Sequence, residues 1–148
     1  MIDKNIETAC IALNIDKPTV VRKKKLHTDT QLAEFRPDEN VICIKDIADD
    51  MNLVFAVVHE LRHAWQFKNT PDMFKNYQNS AVLSVKAYNL QPAEVDANAY
   101  TVIYFGCLYG IRPTFNALGV EVCEAIEKRA NEIRSGCEAA LAEALDIK

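Results

Sequence analysis

Asp49-Asp50-Met51-Asn52-Leu53-Val54-Phe55-Ala56-Val57-Val58-His59-Glu60-Leu61-Arg62-His63-Ala64-Trp65-Gln66-Phe67-Lys68-Asn69-Thr70-Pro71 reads as one helix. Asp49 or Asp50 can cap its start by accepting from the free N–H groups of the first turn; Asn69 can end it, and Pro71 prevents continuation. From Leu53 to Phe67 it is apolar on nearly every side, which predicts a helix surrounded by protein. Into that stretch the chain places His59, Glu60, Arg62 and His63. A buried polar group without a partner costs about 1–3 kcal/mol, so a metal ion or a dense hydrogen-bond network has to compensate them.

The H-E-x-x-H spacing points to the metal. Positions i and i+4 share a helix face one turn apart, so both imidazoles reach one ion, and Glu60, about 100° round the axis, reaches a water bound there. A hydrolytic zinc site takes three protein ligands and an open fourth position. His63 is the last histidine in the chain and position 69 is Asn, which excludes the metzincin pattern and any downstream third His. His27 upstream or a carboxylate remains. The best carboxylate is Glu94 in Gln91-Pro92-Ala93-Glu94-Val95-Asp96-Ala97-Asn98, which opens another helix with Pro92 in its first turn. The gap between them accommodates a helix over about residues 72–88 and a return to the metal. Asn98, one turn beyond Glu94, suits the acceptor for the ring N–H that a metal-bound His turns outward. Asp96 lies about 200° from Glu94, which makes it a weaker candidate for binding the ion, although it could orient a neighbouring group.

These positions carry a resemblance. His59-Glu60-x-x-His63 followed by Glu94-x-x-Ala97-Asn98 resembles the gluzincin metallopeptidases, and among them the minigluzincins and the ImmA/IrrE-type peptidases found with phages and mobile elements. The resemblance covers about residues 18–108. It implies an α+β zincin-like domain with a small, mainly antiparallel sheet packed on the active-site helix. It also implies an edge strand that binds substrate in extended form, and one zinc ion per chain held by a third, glutamate ligand on a following helix. Arg62 stands where ImmA/IrrE-type motifs commonly carry a small residue, and no helix-turn-helix segment accompanies the motif. The activity expected is hydrolysis of peptide bonds: zinc on His59, His63 and Glu94 acidifies a water and polarises the carbonyl, while Glu60 moves the proton to the leaving amine. His27, Tyr88, Tyr100 and Tyr104 are candidate oxyanion donors, and nothing in the pattern selects one.

Upstream of the helix, residues 18–23, 31–35 and 41–44 are β-prone, with a turn-rich 36–40 that makes the last two a hairpin. Ala33 to Phe35 are expected at the sheet edge beside the metal, where a peptide can add by main-chain hydrogen bonds. Ile2, Ile6, Ala9, Cys10 and Leu13 form the stripe of an N-terminal helix expected to dock on the sheet. Beyond the break at Gly110-Ile111-Arg112-Pro113-Thr114, a helix over about 114–146 places Cys123, Ile126, Ala130, Ile133, Cys137, Ala140 and Ala144 on one face. That face predicts packing on the chain's own helices, with a weak homodimer as the alternative.

The 148 residues, 49% hydrophobic and 26% charged, fit one globular domain. A net charge of −4 offers nucleic acid no general attraction, and the single basic run Arg22-Lys23-Lys24-Lys25 reads as a solvated strand end. The chain shows no signal-peptide pattern and no run of about 18 apolar residues, so a cytoplasmic protein without a membrane partner is expected. Five cysteines without a C-x-x-C pair read as small core residues. Two rival functions follow from the same residues: a metal-binding or peptide-binding regulatory module that does not cut, and a helical partner-binding protein. The intact Glu60 speaks against the first.

Overall fold

The computed structural model describes residues 1–147 and is α+β. Its elements, in chain order, are α1 (Ile2–Leu13), β1 (Thr19–Lys23), β2 (Ala33–Arg36), β3 (Val41–Lys45), α2 (Met51–Asn69), α3 (Val85–Asn89), α4 (Pro92–Tyr109) and α5 (Val120–Ile147). Short 3-10 turns at Pro71–Phe74 and Asn116–Leu118 supplement them. Among the described residues no helix is long and apolar enough to cross a membrane.

The sheet order is β1-β3-β2, and the sheet is mixed rather than mainly antiparallel: β2 and β3 pair antiparallel as a hairpin, whereas β1 pairs parallel with β3. β3 takes the centre because Ile42, Cys43 and Ile44 need cover on both faces, and all three are buried. Ala33 and Phe35 sit opposite Ile44 and Ile42, so these four residues share the face turned to α2, where Phe35 lies 6.1 Å from Phe67. β2 is left as an edge beside α2.

α2 starts where Asp50 Oδ1 accepts from Leu53 N at 2.9 Å, and Asp49 instead accepts from Ile2 N at 3.0 Å, tying the start of α1 to it. Leu53, Val54, Val57, Val58 and Leu61 are fully buried in one cluster with Ile2, Ile6, Ile42, Ile44, Tyr100, Ile103 and Leu141. At about 2–5 kcal/mol for truncating one such leucine to alanine, this cluster holds α2 rigidly enough to present a site. α1 packs on α2 and α5 rather than on the sheet, because its stripe of Ile2, Ile6, Ala9 and Leu13 meets the apolar faces of two helices. α5 packs on α4 and α1. Of the predicted stripe, Ile126, Ala130 and Ala144 are buried and Cys123, Ile133, Cys137 and Ala140 half-buried, while Val122 and Leu141, outside that stripe, are fully buried. The helix starts at Val120. Gly119, at φ 96°, breaks the chain there.

The helix expected over 72–88 does not form. Pro71–Phe74 is one 3-10 turn, Asn76 turns left-handed at φ 63°, and the chain becomes helical again only at Val85. Short polar side chains compete for the backbone here: Asn79 Oδ1 accepts from Ala81 N, Ser84 Oγ caps α3, and Gln91 bonds both the N–H and the carbonyl of Gln78. The cysteines are all free; Cys10 and Cys43 are core residues, Cys123 and Cys137 are half-buried, and Cys107 is exposed, against expectation.

Candidate metal centre

Two helices build the site. α2 carries His59 and His63 on its face towards α4 and Glu60 on the side of β2, and α4 begins at Pro92, so Glu94 lies in its first turn with Asn98 one turn further. The sequence brings them together as the spacing predicts. Glu94 Oε1 lies 3.1 Å from His59 Nε2, and Glu94 Oε2 lies 3.0 Å from His63 Nε2. Asn98 Oδ1 meets His59 Nδ1 at 2.9 Å. The two rings stand edge to face with centroids 4.7 Å apart.

Both imidazoles thus have an outer and an inner nitrogen. For His63 the outer partner is Gln66 Oε1, at 2.8 Å from Nδ1. The orientation of that amide is fixed, because Gln66 Nε2 faces two acceptors, Ala93 O at 2.9 Å and Asp96 Oδ2 at 2.8 Å. Nδ1 of His63 must therefore carry the proton, and Nε2 is the nitrogen available to an ion. For His59 the corresponding outer partner is Asn98 Oδ1. Four ligand atoms on a tetrahedral zinc at 2.0–2.1 Å stand about 3.3 Å from one another. The 3.0 and 3.1 Å separations, each to a different oxygen of Glu94, come close to that.

His59, Glu60 and His63 also offer donor atoms all within 4.8 Å of one another, so the group can hold a metal ion. Glu60 is nevertheless the more distant carboxylate, its Oε2 standing 3.9 Å from both Nε2 atoms. Its Oε1 accepts from Phe35 N at 2.8 Å. That amide points away from β3: Lys45 N donates to Leu32 O, so in the antiparallel register residues 33 and 35 turn their main-chain groups to the free edge. Glu60 is thereby tied to the edge strand, whereas Glu94 is tied to the histidines.

Electrostatics follow the same division. Burial alone works against a charged His63, but the bond to Glu94, the charges of Glu60 and Glu94 and the bond to Gln66 outweigh it, bringing its pKa up to about 9. Burial works to raise the Glu94 carboxyl, and the two histidine bonds and charges overcome it, holding the group well below the usual carboxylate range. In the metal-free protein a proton therefore occupies the inner nitrogen of His63. Raised above its ordinary 6.5, His63 contributes stability that is complete below that value and is lost as pH rises through about 9. Glu94, lowered, contributes stability present above its ordinary 4.5 and lost in stronger acid. A cation must displace the His63 proton, so we expect about one proton released per ion at pH 7, with affinity rising roughly tenfold per pH unit towards 9. Calorimetry in two buffers of different ionisation enthalpy counts that proton, and a count near zero contradicts the arrangement.

Three residues escaped sequence reasoning. Gln66 had a signal, its i+3 spacing from His63. Tyr77 had none, because it lies on the non-helical segment after α2; its hydroxyl donates to Glu94 Oε2 at 2.8 Å and lies 3.0 Å from the hydroxyl of Tyr88. Arg129 reaches the region from α5, bonding Asp96 Oδ1 at 2.9 Å. Of the candidate donors, Tyr88 is beside the site, Tyr100 and Tyr104 are core residues, and His27 bonds Glu34 at 2.9 Å on the cleft wall.

The cleft has two parts. A cavity of about 830 Å³ is lined by Phe35, Glu60, His63, Phe74, Tyr77 and Tyr88. Another of about 530 Å³ is lined by Ala33, Phe55, His59, Glu60 and Phe115. Both include Glu60, which therefore stands between them. No protein-family model matches the chain, and no curated protein or solved structure matches it either.

Proposed function

We propose that the protein is a zinc-dependent peptidase with a zincin-like fold of the gluzincin kind, in which His59, His63 and Glu94 hold the ion and Glu60 is the general base. The observation that carries this reading is the convergence of two imidazole Nε2 atoms on one buried carboxylate, with both Nδ1 atoms bonded outward to Asn98 and Gln66. Two imidazoles and a carboxylate are the donor set of a hydrolytic zinc site. When bound, zinc supplies a Lewis acid that acidifies a water and polarises a carbonyl.

The remaining work falls to the chain. Glu60 Oε2 faces the same space as the two Nε2 atoms, so it can take a proton from a water there and pass it to the departing amine nitrogen. Phe35 N–H holds the other oxygen and so sets the direction of the carboxylate. β2 leaves the Ala33 N–H and the Phe35 carbonyl along the cleft, the Phe35 N–H being taken by Glu60, and an extended peptide can add there as a further strand. The two cavities on either side of Glu60 give that peptide room in both directions from the bond to be cut.

The test is metal content by elemental analysis of untagged protein, followed by mass-spectrometric search for cleavage in a mixture of peptides. Near one zinc per chain and cleavage abolished by a chelator support the reading. Absence of metal after zinc is offered overturns it, and bound zinc without any cleavage leaves a metal-binding module that does not cut.

A further inference from the structure

Behind the histidines, on the side of α4 opposite Glu94, the chain buries a second group of polar side chains that the proposed chemistry does not use. Asp96 is 1% exposed and receives four donors on its two oxygens. Arg62 Nε reaches Oδ2 at 2.7 Å and Arg62 Nη2 reaches Oδ1 at 3.1 Å, Gln66 Nε2 reaches Oδ2 at 2.8 Å, and Arg129 Nε reaches Oδ1 at 2.9 Å. Together these hold the Asp96 carboxyl below its ordinary range against the opposing effect of burial. Arg62 is fixed further by Trp65, whose ring centroid lies 3.6 Å from the guanidinium carbon.

We propose that Asp96 and Gln66 are positioning residues for the metal, and that Arg129 couples α5 to the ion through them. The inference rests on the metal reading above. Gln66 is fully buried, and three of its amide contacts are satisfied at once: Nε2 to Ala93 O, Nε2 to Asp96 Oδ2, and Oε1 to His63 Nδ1. Without Asp96 the amide loses an acceptor and can rotate, presenting an N–H where His63 needs an oxygen. The ring would then keep its proton on Nε2, the atom the ion requires. Asp96 in turn needs donors on both oxygens, and Arg129 supplies the one that comes from outside α2. The path therefore runs from α5 through Arg129, Asp96 and Gln66 to His63.

The geometry separates the two arginines. Arg62 is bidentate, buried and stacked, so lysine cannot replace it. Arg129 makes a single bond to Asp96 and is half-exposed, so Arg129→Lys can restore what Arg129→Met removes. Removing an outer partner of a metal-bound histidine typically costs 10–100-fold in affinity. We expect Gln66→Met to weaken zinc binding by about that factor and Arg129→Met by a smaller part of it, about 3–10-fold by the same scale.

The experiment measures zinc affinity by competition with a chelating dye for wild type, Gln66→Met, Arg129→Met and Arg129→Lys. Nitrogen-15 spectra of the metal-free proteins report the His63 Nδ1–H signal in parallel. The proposal expects that signal, protected from exchange, in wild type and its loss in Gln66→Met. It also expects weaker zinc binding in both methionine variants, with recovery in Arg129→Lys. A purely structural network would lower the melting temperature of the metal-free variants and leave the Nδ1–H signal and zinc affinity where they were; that result overturns the proposal. Wild type that binds no zinc overturns the metal reading instead, and the Nδ1–H signal still decides whether Gln66 orients His63.

Discussion

Glu60→Gln is expected to lower peptide hydrolysis by about 10²–10⁴-fold while metal content stays near one per chain, the range over which a positioned general base contributes. The substitution isolates the proton acceptor. Glutamine keeps the shape of the side chain, and its amide oxygen can still accept from Phe35 N–H, the bond that now holds Glu60 Oε1 at 2.8 Å. What it loses is the basic oxygen that stands 3.9 Å from both histidine nitrogens. Glu60 is also not one of the carboxylates closest to the rings, so its replacement spares the donors at 3.0 and 3.1 Å. Metal content and cleavage rate should therefore separate. A variant that binds metal and still cuts at the wild-type rate would remove Glu60 from the chemistry and place the base elsewhere.

The parts of this arrangement legible in the sequence are those governed by helix periodicity. His59 and His63 share a face because they are four apart, and Glu94 and Asn98 for the same reason; Asp50 and Pro92 mark where their helices begin. Five residues of the site follow from two periodic segments, and the distances agree. The rest depended on tertiary placement. Within residues 72–88 the Asn79 and Ser84 side chains, and from just beyond them Gln91, bond the local backbone in place of helix bonds, and no periodicity announces that outcome. Tyr77 reaches Glu94 only because that segment folds back over the site. Asp96 contacts Gln66, which in turn contacts His63; Arg129, more than sixty residues after His63, joins them through the packing of α5 on α4. The order of the strands followed from which strand needed cover on both faces, and the hairpin alone does not reveal that β1 pairs parallel.

Glu94→Ala is expected to have the largest effect on metal: zinc near one per chain in wild type, and little retained after dialysis in the variant. The loss should exceed the 10–100-fold that follows removal of an outer hydrogen-bond partner, because the side chain removed is the carboxylate on which both Nε2 atoms converge. The same substitution changes the metal-free protein in a pH-dependent way. Burial works against the charged His63, and Glu94, Glu60 and Gln66 oppose it, so removing Glu94 takes away part of that opposition and lowers the His63 value. The stability that wild type draws from the charged His63 is complete below pH 6.5 and gone above about 9. That from ionised Glu94 is present above 4.5. The difference in melting temperature between wild type and Glu94→Ala should therefore be widest between pH 4.5 and 6.5 and narrow steadily towards pH 9. Thermal melts of both proteins in chelator across that range measure it. A constant difference would mean that Glu94 supports the fold by packing alone, and that the proton now shared with His63 does not stand in for the ion.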